Sequence, residues 1–67
     1  MRMYGKGELA SLYMPNVTIP VARNYLSAWI RNNPKLKEEL EEAGYTTHAK
    51  LFTPKQIRII FKHIGEP

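Results

Sequence analysis

Apolar residues recur at helical spacing in four stretches of the chain, and proline and glycine separate these stretches. In the first stretch, residues 7–13, Leu9, Leu12 and Tyr13 stand three and four positions apart, so they share one face of a helix. Pro15 disfavours helical geometry at the residue before it. The pattern therefore predicts a short first helix with one apolar face.

The second stretch, residues 21–32, has the strongest amphipathic pattern in the chain. Pro20 stands at its start, where proline is tolerated in the first helical turn. Its apolar residues fall within one arc of less than half the circumference, and they are Ala22, Tyr25, Leu26, Trp29 and Ile30. We expect this arc to be buried, with Trp29 in the core.

The third stretch, residues 34–43, has residues typical of a helix start at one end and of a helix stop at the other. Asn33 suits the N-cap, Pro34 the first helical position and Gly44 the C-terminal stop. Its narrow apolar stripe consists of Leu36, Leu40 and Ala43. Its other faces carry Glu38, Glu39, Glu41 and Glu42. We expect these glutamates to keep the domain in solution. Since they would repel phosphate, either this helix points away from nucleic acid or the partner is a basic protein.

The fourth stretch, residues 54–64, begins with a capping box formed by Thr53 and Gln56, and it ends at Gly65. Its buried face is predicted to contain Ile57, Ile60, Phe61 and Ile64. Residues 45–52 have a composition typical of an extended segment, but one short run cannot form a sheet alone. The sequence therefore predicts an all-α fold of four short helices in a single domain, residues 1–67.

Composition narrows the functional classes. The chain has 67 residues, 43% of them hydrophobic, and no cysteine, which excludes a disulfide-stapled module and a cysteine-based zinc site. The net charge is +4, which favours a polyanionic partner. No apolar run approaches the ~18 residues of a membrane span and the N-terminus lacks a signal peptide's apolar stretch, so we expect a cytoplasmic protein without a membrane partner.

The residues that could carry chemistry do not indicate an enzyme, a metal or a cofactor. His48 and His63 are far apart and no aspartate is present, which argues against zinc. Ser11 and Ser27 have no identifiable base. The segment 5–7, Gly-Lys-Gly, is too short for a glycine-rich phosphate loop. We expect the four tyrosines to lie at the boundary of the core, with their hydroxyls in water.

The polar face of the second helix predicts contact with nucleic acid. Arg23, Ser27 and Arg31 are four residues apart, Asn24 lies beside them, and no acid interrupts the face. Arginine reads guanine edges and phosphates, asparagine reads adenine, and serine can bond to either. The alternative is an ordinary solvated helix face.

The fourth helix carries a second basic stripe, formed by Lys55, Arg58 and Lys62. We expect these residues to position phosphates, with plain solvation as the alternative. Ile59 lies beside the stripe and off the buried arc. If it borders Phe52 or Tyr45, an apolar patch for a protein partner would result.

Residues 4–31 resemble the helix-turn-helix of excisionase-like and MerR-like DNA-binding domains. The resemblance is carried by the run Glu-Leu-Ala-Ser-Leu at residues 8–12 and by the Trp-Ile at residues 29–30 that closes the second helix. It implies that the first two helices form a DNA-binding pair. The connection at residues 14–20 is longer than the usual turn of about three to four residues.

A second resemblance extends over nearly the whole chain. In order, the matching residues are Tyr4-Gly5, Glu8-Leu9-Ala10, Leu12-Tyr13, Pro15, Trp29, Asn33-Pro34-Lys35-Leu36, Gly44-Tyr45, Phe52-Thr53-Pro54, Gln56 and Gly65-Glu66-Pro67. They look like a bacterial family of short domains of unknown function. This resemblance implies a complete single-domain protein and says nothing of its activity.

The sequence as a whole thus predicts a small helix-turn-helix-like protein that binds double-stranded DNA, as a regulator or an excision accessory factor. The alternative is a protein-interaction module that uses residues 45–52 and the fourth helix. The two differ in their response to salt, since phosphate contacts weaken steeply with ionic strength and apolar contacts do not.

Overall fold

All four predicted helices are present in the structure, a computed structural model that describes residues 3–67. Residues 1–2, part of the stretch expected to lack a signal peptide's apolar run, lie outside the described range. The elements in chain order are β1 (Tyr4–Gly5), α1 (Lys6–Tyr13), α2 (Ile19–Arg31), α3 (Pro34–Glu42), β2 (Leu51–Phe52) and α4 (Pro54–Ile64). The helix boundaries lie within one or two residues of those predicted.

The predicted capping interactions of α3 and α4 are confirmed. The Leu36 amide donates to Asn33 Oδ1 at 3.2 Å, which caps α3. At α4 the Gln56 amide donates to Thr53 Oγ1 at 3.3 Å, and the Thr53 amide donates to Gln56 Oε1 at 3.0 Å. Gly44 follows α3 with a φ of 91°, a conformation that L side chains rarely adopt.

A short antiparallel strand pair adds to the predicted helices. β1 pairs with β2, with Tyr4 opposite Phe52 and Gly5 opposite Leu51. The Lys6 amide extends the pairing by donating to the Lys50 carbonyl at 2.9 Å. The extended segment thus finds its partner at the other end of the sequence, and the fold is mostly helical with a small two-stranded sheet.

The core draws on all four helices and on β2. Its buried members are Leu9, Ala10, Ala22, Leu26, Ile30, Leu36, Leu40, Tyr45, Phe52, Ile57 and Ile60. α1 and α2 approach closely at Gly7, where a Cβ atom would lie 2.7 Å from Ile19 Cγ2. A larger residue at that position would therefore require the Ile19 side chain or the helices to shift.

Several residues at the edges of the predicted buried faces are more exposed than expected. Leu12 and Tyr25 are about half exposed, at 47% and 49%. Trp29 is half-buried and packs against the core, edge-on to Tyr13 with ring centroids 5.9 Å apart. The physical reason is size, because a domain this small covers only a narrow arc of each helix and leaves the flanks in water.

Two other expectations about side-chain placement were also wrong. Tyr45 is buried, at 5% exposure, and its hydroxyl bonds to Lys6 rather than to water. Ile59, placed off the buried arc by its position in the helix, is partly buried against the core. Tyr45 is held by a contact with Lys6, which is distant in sequence, and helical periodicity does not describe such a contact.

Candidate nucleic-acid interface

The polar flank of α2 faces a cavity between this helix, the start of α1 and the segment before β2. The cavity has a volume of about 440 Å³, and α2 contributes Arg23, Asn24 and Ser27 to it. Lys6 lines it from α1, and Lys50 lines it from the chain before β2. The three predicted α2 residues therefore face a concave surface rather than open solvent alone.

A second cavity, of about 210 Å³, continues along the same flank of α2. Arg31 lines it from the end of α2, and Lys37 lines it from α3. The two cavities share Lys6, Ser27 and Thr47. We call the two together the basic groove. The structure thus brings all four predicted α2 residues to one surface.

The charge of the basic groove has a single sign. Its cationic lining residues are Lys6, Arg23, Arg31, Lys37 and Lys50. Among the described residues, no aspartate or glutamate lines either cavity. A concave surface lined by one sign of charge concentrates ions of the opposite sign. The groove is therefore suited to an anionic ligand.

Lys6 is the most buried cation of the groove, at 9% exposure. Its Nζ donates a hydrogen bond of 2.8 Å to Tyr45 Oη and lies 5.4 Å from the centroid of the Tyr45 ring. The Tyr45 ring in turn stacks on Phe52, with centroids 5.5 Å apart and planes 16° from parallel. The packing of the core therefore holds the Lys6 ammonium at the floor of the groove.

The predicted basic residues of α4 do not line this groove. Lys55 and Arg58 are exposed elsewhere, and Lys62 Nζ forms an ion pair with Glu39 Oε1 at 3.4 Å. Lys62 lines a separate cavity of about 470 Å³ that also contains Glu38 and Glu42. The two predicted basic stripes therefore lie on different surfaces, and Lys62 is balanced by acid.

Glu39 is the centre of that second surface. It also bonds to His63 Nε2, and this hydrogen bond is the main reason that the pKa of the Glu39 carboxyl lies below its ordinary value. Lys62 lowers the pKa in the same direction, while partial desolvation opposes both. Glu39 of α3 thus interacts with α4, and it does not line the basic groove.

The aromatic patch expected for a protein partner is not formed as predicted. Tyr45 and Phe52 are both core residues, and Phe52 is fully buried. Leu51, beside Phe52, is the exposed apolar residue of β2. Strand pairing explains the difference, because successive residues of a strand point to opposite faces.

Residues 3–67 contain neither a cluster suited to a metal ion nor a helix suited to span a membrane. No group of three or more histidine, cysteine, aspartate or glutamate side chains in this range is arranged to hold a metal ion. Of the helices described, none is both long enough and apolar enough to cross a bilayer.

Sequence reasoning missed three cations and one hydroxyl of the groove: Lys6, Lys37, Lys50 and Thr47. In the sequence, Lys6 stands between two glycines, a setting that does not indicate a buried cation. Its position at the helix start, one turn from the apolar Leu9 and Ala10, was the available signal of burial. Nothing in the local pattern around Lys50 or Thr47 indicates which helix they approach.

The fold and the groove define a small, mostly helical domain with a cationic concave surface. The chain belongs to the family described as Domain of unknown function (DUF4248), whose model matches residues 1–67. This confirms the family resemblance read from the sequence. Neither the curated proteins nor the solved structures yielded a match. The local resemblance to excisionase-like and MerR-like domains stays a prediction.

Proposed function

We propose that this domain binds double-stranded DNA through the basic groove. The observation that carries the proposal is the lining of the groove, which within residues 3–67 combines five cationic side chains with no carboxylate. Phosphates dominate the affinity of proteins for DNA, and a surface of this composition is what neutralises them. The domain would act as a small regulator or an excision accessory factor.

α2 supplies the groups that could distinguish bases. Arg23, Asn24 and Arg31 are exposed, so their side chains can reach a ligand outside the protein surface. Arginine can bond to guanine through two donors, and asparagine can pair with adenine through its amide. Ser27 is half-buried between the two cavities and suits a phosphate or a base edge.

The connection between α1 and α2 is compatible with a variant of helix-turn-helix docking. α1 ends at Tyr13 and α2 begins at Ile19, so residues 14–18 connect the two helices. α2 would take the role of the recognition helix, in which exposed residues contact the major groove. The neighbouring cations Lys37 and Lys50 would contact the phosphates that flank it.

The experiment is a fluorescence-anisotropy titration of the full chain with genomic duplexes at two salt concentrations. Arg23→Gln and Arg31→Gln should each weaken binding by about 1–3 kcal/mol if the lost contact is bidentate to guanine. The matched controls are Lys55→Gln and Arg58→Gln, which remove the same charge from an exposed site outside the groove. The controls should change affinity much less, because charges far from the phosphates are screened.

Two outcomes would contradict the proposal. One is that the wild-type protein shows no salt-sensitive DNA binding at concentrations below about 100 μM. Affinity that low would be weaker than ordinary non-specific association with DNA. The other is an equal loss of affinity in the α2 and α4 variants, which would show that the groove is not the DNA-binding surface. The protein-interaction alternative predicts that the arginine variants behave like the wild-type protein.

A further inference from the structure

Lys6 is a buried residue, and its ammonium has no acidic partner among the described residues. Its one hydrogen bond among the described residues goes to the Tyr45 hydroxyl, which is neutral. An ammonium group has further donors in addition to that one. Lys6 also lines both cavities of the basic groove, so these donors lie where a ligand could accept from them.

The clustering of cations in the groove is unfavourable in the absence of a ligand, because like charges repel one another. Arg23 and Lys50 line one cavity with Lys6, and Arg31 and Lys37 line the other. A bound anion would offset the mutual repulsion of these cations.

We propose that Lys6 and Tyr45 form the floor of a phosphate-binding site at the junction of the two cavities. Lys6 Nζ would donate to one phosphate oxygen. Tyr45 Oη accepts from Lys6, so its own hydrogen remains available for donation to a second oxygen. Ser27 and Thr47, which line both cavities, add hydroxyl donors at the same place.

The contacts that support the floor are already made without a ligand. The Tyr45 ring is stacked on the buried Phe52, and Phe52 is paired with Tyr4 across the two strands. The Lys6 amide is fixed by its bond to the Lys50 carbonyl. Binding would therefore cost little ordering of the floor, which favours affinity for a group as small as phosphate.

The phosphate could come from the DNA backbone or from a small phosphate monoester such as a nucleotide. The first source rests on the proposed function, because it makes Lys6 a backbone contact of the DNA complex. The second does not depend on DNA. The chemistry recognised at the floor is the same for both, and the experiment separates them.

The primary test is a titration of the isotopically labelled full chain with inorganic phosphate, followed by nuclear magnetic resonance at constant ionic strength with chloride as the balancing salt. We expect saturable shifts of the amides of Lys6, Ser27 and Thr47. Lys6→Gln should weaken binding by about tenfold or more, the effect of losing a hydrogen bond from a charged donor. The surface control Lys55→Gln should bind like the wild-type protein.

Tyr45→Phe guards against a loss of folding in the Lys6 variant. It keeps the ring that packs on Phe52 and removes only the hydroxyl, so circular dichroism should show a folded protein. Its affinity for phosphate should nevertheless be lower than that of the wild-type protein. If Lys6→Gln is unfolded, Tyr45→Phe decides the question alone. The absence of saturable phosphate binding by the wild-type protein, or wild-type binding by the folded variants, would overturn the proposal.

Parallel titrations with a mononucleotide and with duplex DNA separate the two sources. DNA binding that is lost together with phosphate binding in Lys6→Gln supports a backbone contact. Mononucleotide binding without DNA binding supports the phosphate site and rejects the proposed function. A third outcome is that folded Lys6→Gln binds DNA as tightly as the wild-type protein and that the wild-type protein shows no saturable phosphate binding. This outcome rejects the phosphate site and leaves the proposed function standing.

Discussion

Tyr13 links the end of α1 to the C-terminal residues. Its hydroxyl donates to the carbonyl of Gly65, and its ring lies edge-on to Trp29. Burial raises the pKa of the Tyr13 phenol above its ordinary value, and the nearby Glu66 carboxylate raises it further. Both effects favour the protonated form, which is also the form that can donate to Gly65.

This pKa shift predicts an alkaline loss of stability. Since the folded-state pKa of Tyr13 is above the unfolded value of 10.0, its contribution is complete at neutral pH and is lost as the pH rises through the folded-state pKa. Tyr13→Phe should cost about 0.5–1.5 kcal/mol at neutral pH, the usual contribution of one hydrogen bond. The difference between the two proteins should shrink above pH 10.0, measured by urea unfolding at a series of pH values.

The comparison with Tyr13→Phe removes the contributions of other groups that titrate at high pH, because both proteins share them. A difference in stability that stayed constant across this pH range would show that the Tyr13 proton has no part in stabilising the fold.

At the scale of elements, the start of α4 is connected to the end of α3. The Gln56 side chain completes the capping box with Thr53, and its Nε2 donates to the Ala43 carbonyl at 3.0 Å. Gln56 is buried, and both of these hydrogen bonds are partly shielded from water. A local capping signal thus also determines how two helices meet.

The capping box leads to a test at Thr53. Thr53→Ala removes the hydroxyl oxygen that accepts from the Gln56 amide, and we expect a loss of about 1 kcal/mol in the free energy of unfolding. Thr53→Ser keeps that oxygen and should be nearly silent. Thermal and chemical denaturation measure both. If the two variants were equally destabilised, the methyl group rather than the hydrogen bond would be responsible.

At the scale of the whole molecule, the strand pair closes the fold. β1 comes from the start of the chain and β2 from the segment before α4, and their pairing brings Lys6 next to Lys50. Phe52, fully buried in β2, supports the Tyr45 ring that holds Lys6. The stability of the core and the shape of the basic groove therefore depend on the same contacts.

Phe52→Ala should destabilise the domain by about 3–5 kcal/mol, the usual cost of truncating a buried phenylalanine. That is a large share of the free energy of unfolding of a domain this small, since this free energy is typically about 5–15 kcal/mol. Chemical denaturation measures the loss. The matched control is Leu51→Ala in the same strand, because Leu51 is 52% exposed and should lose far less. Similar losses at the two positions would mean that Phe52 is not the buried member of the pair.

The sequence by itself determined the four helices and most of their ends. The signals are local: Asn33 and Thr53 cap the helices that follow them, and Gly44 ends α3. The polar flank of α2 was also readable, since Arg23 and Arg31 recur at helical spacing. Such features depend on residues within a turn or two of one another, so periodicity and capping chemistry are sufficient to predict them.

Only the tertiary structure decided which residues surround that flank and which tyrosine is buried. The pairing of Tyr4 with Phe52 joins residues from opposite ends of the chain, and no local pattern specifies it. The same closure buries Tyr45 and brings Lys6 and Lys50 to the groove. The physical reason is that a two-residue strand has no stability of its own, so its partner is selected by the packing of the helices around it.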